Sequence, residues 1–262
     1  MLFTLWPRKR APRSTGRKRS TFRPQLETLD GRVLPSTLLV RSLDGFGSLT
    51  GPLTLRGAIA AAQNGDTIVF DQSLFTYGHQ TLQLTSGQPG FGGDIELFIS
   101  KDLTIQGPGG GELTIDGGGV ARAFEIAQGA HVTISGLTIQ DGNGKTGAFD
   151  PSQWDNFGGG ILNEGTLTLI GCMVTHNTAT GSVAGDGGGI ANFGTMKMTG
   201  CTVSGNKADD LGGGVYNTGL LTITNSAVAN NTVVYGSGKD SDLFNAGTLD
   251  VSASTIGHKS YK

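Results

Sequence analysis

Four stretches of the chain spell the same pattern in different letters: Gly159-Gly160-Ile161-Leu162-Asn163-Glu164-Gly165, Gly188-Gly189-Ile190-Ala191-Asn192-Phe193-Gly194, Gly213-Gly214-Val215-Tyr216-Asn217-Thr218-Gly219 and the degenerate Ser241-Asp242-Leu243-Phe244-Asn245-Ala246-Gly247. Each is followed by a short alternating strand, Thr166 to Leu169, Thr195 to Met198, Leu220 to Ile223 or Thr248 to Val251, and then by a second apolar triplet beginning at Cys172, Cys201, Ser226 or Ser254. The aligned asparagines 163, 192, 217 and 245 fall 29, 25 and 28 residues apart. A period of that size, made of β-rich triplets and glycine turns with no helical pattern, is the mark of a solenoid, in which each unit buries its apolar face only against a neighbour. The expected fold is all-β, a parallel β-helix.

Composition agrees. Glycine takes 45 of 262 positions without a three-residue period, so it serves turns rather than a collagen-like chain. Aromatic residues are 7% and charged residues 15%, which leaves a core of small aliphatics. One such core runs the length of a solenoid, so 262 residues need no second globular domain.

The net charge of −2 conceals an asymmetry: residues 1–32 hold nine Lys or Arg against two acids, and the remainder holds ten against nineteen. Residues 1–36 therefore read as a basic, disordered leader or targeting segment, and 37–262 as the β-helix. A basic arm invites nucleic-acid binding through counterion release. The acidic remainder carries no aromatic-basic interleave or nucleic-acid motif, and the expectation is no nucleic-acid partner. Met1 to Trp6 is too short an apolar run for a secretory signal and ends in Pro7, and no transmembrane segment is expected.

Several segments carry a resemblance. Thr21-Phe22-Arg23-Pro24-Gln25-Leu26-Glu27-Thr28-Leu29-Asp30-Gly31-Arg32-Val33-Leu34-Pro35-Ser36 resembles the leader of large exported proteins of planctomycete bacteria. Leu38-Leu39-Val40, Gly45-Phe46-Gly47-Ser48-Leu49, Leu55 to Ala62 and Asn64 to Asp71 resemble the opening module of CSLREA-type β-helix proteins, here with Thr50 to Thr54 inserted. The repeats resemble those of polymorphic outer-membrane proteins. These similarities, covering roughly residues 21 to 256, imply a right-handed, pectin-lyase-like β-helix in an extracellular or cell-surface protein exported by an unconventional leader. They imply no particular reaction.

Read from the residues, 37–71 forms a capping first module, 72–157 a set of early irregular coils and 158–262 the regular repeats. Thr54 can cap a helix from Leu55 to about Asn64, with Gly65 as the residue that ends it. Such a helix would lid the open end of the stack. Strands follow at 67–70, 81–84, 95–99, 103–105, 113–115, 124–126, 131–134 and 137–139 before the four repeats. About seven coils result, a rod of about 34 Å at ~4.8 Å per coil. Alternation turns Leu167, Leu169, Met196, Met198, Leu221, Ile223, Leu249 and Val251 inward and Thr168, Lys197, Thr222 and Asp250 outward. Asn163, Asn192, Asn217 and Asn245 stack as a structural ladder in which each amide bonds the next. Cys172 and Cys201 share an inward position with Ser226 and Ser254, where stacked parallel strands offer poor disulfide geometry; free buried thiols are favoured over a bridge. The four histidines show no zinc-ligand spacing.

Chemistry belongs to the third turn of each coil, where length varies most. Those turns carry Trp154 and Asp155, Asp186, Asp209 and Asp210, and Tyr235. Solenoid insertions emerge on one side, so these residues line one edge as a ligand surface: aromatic faces stack on sugars, and carboxylates at Asp209 and Asp210 suit calcium. The competing view is that aspartate is frequent there because it favours turns. No cofactor is required. The function favoured is a structural, adhesion or glycan-binding scaffold with a polysaccharide or surface partner and no catalytic residue. The alternative is a polysaccharide lyase or glycoside hydrolase of the same fold. It lacks the Asn-Thr-Asp, Gly-His-Gly and Arg-Ile-Lys elements of polygalacturonase-like helices, and with no Arg after Arg122 a lyase base would be Lys197, Lys207 or Lys239. After Ile256 a further turn begins and stops uncapped, an edge suited to continuation or docking.

Overall fold

The structure, a computed structural model, describes residues 34–45, 51–84, 96–109, 111–144, 156–180, 185–235 and 241–261. Phe46 to Thr50 of the first module, Ile95, the leader through Val33, Trp154, Asp155 and Lys239 lie outside the described residues.

Among the described residues, three long sheets consist wholly of parallel pairings between strands from successive passes of the chain. The first has eight strands, Thr37–Val40, Asp66–Phe70, Leu103–Gln106, His131–Ser135, Thr166–Ile170, Thr195–Thr199, Leu220–Thr224 and Thr248–Ser252. The second has seven, running from Leu97–Ile99 through Ile161–Asn163, Ile190–Asn192 and Val215–Asn217 to Lys259–Tyr261. The third has seven, from Gln80–Gln83 through Met173–Thr175 to Thr255–Ile256. The chain visits the sheets in rotation, so it is a parallel β-helix with roughly the expected number of coils. Three two-residue strands, Thr178–Ala179, Lys207–Ala208 and Thr232–Val233, make a fourth short sheet that the sequence pattern did not reveal.

Register follows the alternation. Leu167 lies beside Val132 and Met196, and Leu169 beside Ile134 and Met198; Leu221 and Ile223 continue both rows. All are buried, while Thr168, Lys197, Thr222 and Asp250 form the outer row. Leu249 and Val251 face the same bore but are partly buried, having no later strand in their own sheet to cover them. Burying each such side chain contributes about 1.5–3 kcal/mol.

The capping helix α1 spans Leu55–Ala61. Thr54 is its N-cap, the side chain accepting from the Gly57 N–H at 3.1 Å, and Leu55, Ala58 and Ile59 are buried. The helix touches the first strands of the first and second sheets, closing that end of the core. It ends three residues earlier than the expected Asn64. Lys101, from the next coil, explains this: its Nζ donates to the carbonyls of Ile59, Ala60 and Ala62 at 3.1, 2.8 and 2.6 Å. With those acceptors satisfied from outside, the helix needs no left-handed C-cap, and Gly65 (φ +89°) instead turns the chain into Asp66–Phe70.

The asparagine ladder forms. Asn163 Nδ2 donates to Asn192 Oδ1, Asn192 to Asn217, and Asn217 to Asn245, each at 2.6 Å. A second ladder runs parallel to it, through Asn177, Asn206 and Asn231. Asn177 Nδ2 donates to Asn206 Oδ1 at 3.0 Å and Asn206 Nδ2 to Asn231 Oδ1 at 2.9 Å, and each Oδ1 also accepts the backbone N–H of the preceding asparagine. The members are buried. Paired glycines let them sit there: a Cβ on Gly189 would lie 2.9 Å from Asn206 Nδ2 and 2.7 Å from the Gly214 carbonyl. In the last repeat, Ser241-Asp242 replaces the glycine pair. Asp242 has a Cβ and uses it: Oδ1 accepts from Asn231 N and Nδ2 at 2.8 and 2.9 Å, and Oδ2 from His258 N at 2.7 Å. A carboxylate thus ends a column of amides.

Cys172 and Cys201 are free and buried, as expected, with Ser226 and Ser254 above them; Cys201 N donates to Ser226 Oγ and Ser226 N to Ser254 Oγ, both at 3.0 Å. Its hydrogen bond with Cys201, and burial, push the Cys172 thiol above the ordinary value, which keeps it protonated.

Asn192→Leu removes an amide that both donates to Asn217 and accepts from Asn163, leaving polar groups on two coils unmatched. The expected loss is about 2–4 kcal/mol, larger than for Asn245→Leu at the ladder's end. Denaturant unfolding followed by circular dichroism measures it, and a loss no greater than that of the surface change Thr222→Ala would refute the ladder's energetic role.

Candidate functional site

The third-turn edge gathers the described residues that the sequence had marked. Asp186 pairs with Phe157 of the preceding coil, and its Oδ1 accepts from Leu211 N of the following coil at 2.9 Å. Asp209 N and Asp210 N both donate to the Gly185 carbonyl at 3.0 Å, and Tyr235 N donates to the Asp209 carbonyl at 2.8 Å. Backbone bonding between coils therefore brings Asp186, Asp209, Asp210 and Tyr235 together. They play different parts: Asp186 is buried and pins the turn, Asp209 and Asp210 are partly buried, and Tyr235 is 82% exposed.

Beside this edge lies a row of rings that the sequence reading missed. Phe157 meets Phe193 edge-on at 5.3 Å, Tyr216 sits 5.7 and 5.9 Å from them, and Phe244 stacks on Tyr216 at 5.3 Å with planes 11° apart. The signal was present: Tyr216 and Phe244 occupy the same repeat position, one residue before a ladder asparagine, where alternation points outward. Because the rings spend their faces on one another, Tyr235 offers the more open ring. Burial, followed by the carboxylates of Asp186 and Asp210, raises the Tyr216 phenol above its ordinary value. The edge therefore combines a protonated phenol donor, carboxylate acceptors and an exposed ring.

Farther along the second sheet is a buried ion cluster. Arg122, with a side chain 0% exposed, donates Nη1 to Glu96 at 3.0 Å and to Glu125 at 2.6 Å, Nε to the Phe157 and Gly158 carbonyls, and Nη2 to Phe157 O. It fixes the turn that carries Phe157 and has no access to a substrate. Burial first, then Glu125, raises Glu164 nearby, with Arg122 opposing. Of the lysines considered as lyase bases, Lys197 lies among threonines on the first sheet's outer face and Lys207 pairs with Thr178 and Thr232 in the fourth sheet.

A second polar group follows the third sheet. Asp116 pairs with Gln140 in register, so Asp141 and then His176, next to Thr175, fall at the equivalent turn of the following coils. Asp116 accepts from Gly118 N at 2.7 Å and Gln140 Nε2 at 3.2 Å. Asp141 (φ +49°) and His176 (φ +55°) turn in the left-handed region. Burial and then the Asp116 charge raise the Asp141 carboxyl, with His176 pulling the other way. Histidine-carboxylate proximity also arises at His131 and Asp102, 3.1 Å apart. Sequence spacing concealed these groups because each forms across coils.

Among the described residues, no group of three or more His, Cys, Asp or Glu is arranged to hold a metal ion, and no helix is long and apolar enough to cross a membrane. No protein-family model matches the chain, and no curated protein matches it. Among solved structures, the crystal structure of pectate lyase Pel9A is similar at 16% identity and a TM-score of 0.46, over 86% of this chain and 64% of that one. The chain thus spans less than two thirds of that protein's length, and the parallel β-helix stands on this chain's own strand register.

Arg122→Met would leave Glu96 and Glu125 without their shared cation. The expected cost is about 3–5 kcal/mol. The urea midpoint of unfolding should fall accordingly, and a midpoint equal to wild type would show that Arg122 is not the pin described.

Proposed function

We propose that this chain is an exported or cell-surface β-helix protein that acts as a structural, adhesion or glycan-binding scaffold, with the third-turn edge as its glycan contact. The observation that carries this reading is the convergence of Asp186, Asp209, Asp210, Tyr216 and Tyr235 on one side of the stack. Sugar hydroxyls donate to carboxylates and accept from a phenol, while the apolar face of a sugar stacks on an exposed ring such as Tyr235. A rigid parallel stack holds these groups at fixed spacing, which limits the ordering cost of binding an extended chain. Export and surface display rest on the resemblance of residues 21–36 to planctomycete leaders and of the repeats to polymorphic outer-membrane proteins. Asp209 and Asp210, with backbone carbonyls, are where calcium would add to a glycan contact.

The test is a glycan panel titrated by calorimetry against the intact chain. Tyr235→Ala, and Asp209→Ala with Asp210→Ala, should each weaken binding about tenfold, or about 1.4 kcal/mol. Binding unchanged in both variants would remove the edge from the reading, and no binding across the panel would leave only a structural scaffold.

A second reading, glycoside hydrolysis, is favoured by one observation: Asp116 and Asp141 stand on neighbouring coils, with the Asp141 carboxyl raised. A carboxyl raised by burial and a second carboxyl group beside it supply the two roles that hydrolysis needs: a proton to the leaving oxygen, and a base for the attacking water. New reducing ends from a polysaccharide, lost in Asp116→Asn and in Asp141→Asn while folding is kept, would support it; product formation by both variants at the wild-type rate would dismiss it.

A further inference from the structure

We propose that Cys172 and Cys201 form a binding site for a soft monovalent metal cation, Cu(I), held in line between the two sulfurs of adjacent coils. The chain's sulfur is concentrated there: both cysteines and three of its four methionines, Met173, Met196 and Met198, fall within residues 172–201. Cys172, Met196, Met198 and Cys201 belong to one buried core, and Met173 is exposed beside it. Thiolates and thioethers are the ligands that select Cu(I).

Spacing decides what the two thiols can hold. Met173 pairs with Thr202 in register, which sets Cys172 directly beside Cys201, and Thr202 N donates to the Cys172 carbonyl at 2.9 Å. Both side chains turn the same way, each Sγ lying 3.5 Å from the carbonyl two residues before it, Ile170 or Thr199. The sulfurs therefore repeat at the coil spacing of about 4.8 Å. That is too wide for a disulfide, whose S–S bond is about 2.05 Å, but two metal–thiolate bonds of about 2.3 Å laid end to end span it. Two ligands are too few for zinc, which takes four. They suffice for Cu(I), which two thiolates bind in line.

Coordination exchanges two S–H bonds for two S–Cu bonds: both protons leave to solvent, no electron is transferred, and the pair takes on one negative charge. The Cys172 N–H donates to the Cys201 sulfur, as Cys201 N does to Ser226 Oγ one coil on, and so faces that charge. The thiols give up only long contacts to the Ile134, Ile170 and Thr199 carbonyls. The way in is short. Exposed Gly171 and Gly200 form the turns outside the thiols, where an added Cβ would meet nothing within 4 Å at Gly171 and only the Gly171 nitrogen, at 4.0 Å, at Gly200. Met173 presents its thioether beside them.

The experiment titrates the intact, reduced chain with Cu(I) under anaerobic conditions, in competition with a chromophoric Cu(I) chelator. The expected result is one Cu(I) per chain, a thiolate-to-metal charge-transfer band in the near ultraviolet, release of two protons and a rise in the urea midpoint of unfolding. Cys172→Ser and Cys201→Ser introduce the residue that the next coils already carry at Ser226 and Ser254, so the coils stack as before. Each variant should lose the band, the proton release and the rise in midpoint, and Zn(II) should leave the wild-type midpoint where it was. Cu(I) bound equally by both serine variants, a shift with Zn(II) as large as that with Cu(I), or no stoichiometric Cu(I) binding by the wild-type chain would overturn the proposal.

Discussion

A buried carboxamide that donates through Nδ2 to one coil and accepts through Oδ1 from the other is satisfied only where the next coil places a matching group at the same point. Parallel, in-register strands supply that match once per turn. Asn163 to Asn245 and Asn177 to Asn231 are two such columns, the first fixing the turn that leaves the second sheet and the second the turn between the third and fourth sheets. The consequence runs through the sequence. Glycine pairs are needed where backbone passes against an amide, and the aliphatic rows between the columns must keep step with them. Where the glycine pair lapses at Ser241-Asp242, a carboxylate takes over as acceptor, closing the column without a further donor to satisfy.

The repeat made much of this legible. Asn163, Asn192, Asn217 and Asn245 share flanking letters, so their alignment and their ladder could be read directly, as could the inward rows from Leu167 to Ile223 and the buried pair Cys172 and Cys201. Asn177, Asn206 and Asn231 recur at the same 29- and 25-residue intervals, yet their neighbours change from His to Gly to Asn before them, which masked the column. The end of α1 was misplaced because its terminator, Lys101, lies 39 to 42 residues away. Asp141 and the cluster around Arg122 escaped notice because the early coils vary in length, and their partners become neighbours only once the coils are stacked.

The candidate site inherits its geometry from the same stacking. Asp186 is held by Leu211 N on one side and by the turn around Phe157 on the other, and that turn is fixed in its place by Arg122. Sequence reasoning placed Asp186, Asp209, Asp210 and Tyr235 on one edge from loop length alone, and the coils bring them there. It missed Phe157, Phe193, Tyr216 and Phe244, since an outward ring in a strand reads as ordinary β-propensity until several stack. Chemistry on this scaffold is a matter of what adjacent coils place side by side, so substitutions in the ladders should act on the edge through its positioning, and substitutions on the edge should leave the ladders intact.

The most direct test of ladder-driven assembly is hydrogen exchange of the side-chain Nδ2 protons of Asn192, Asn206 and Asn217, followed by NMR on the intact protein. Amides bonded between coils and shielded from water should exchange only with opening of the stack, as slowly as the backbone amides of Leu167 and Met196 in the first sheet. Side-chain exchange at the rate of a solvent-exposed asparagine, while those backbone amides stay protected, would contradict the account.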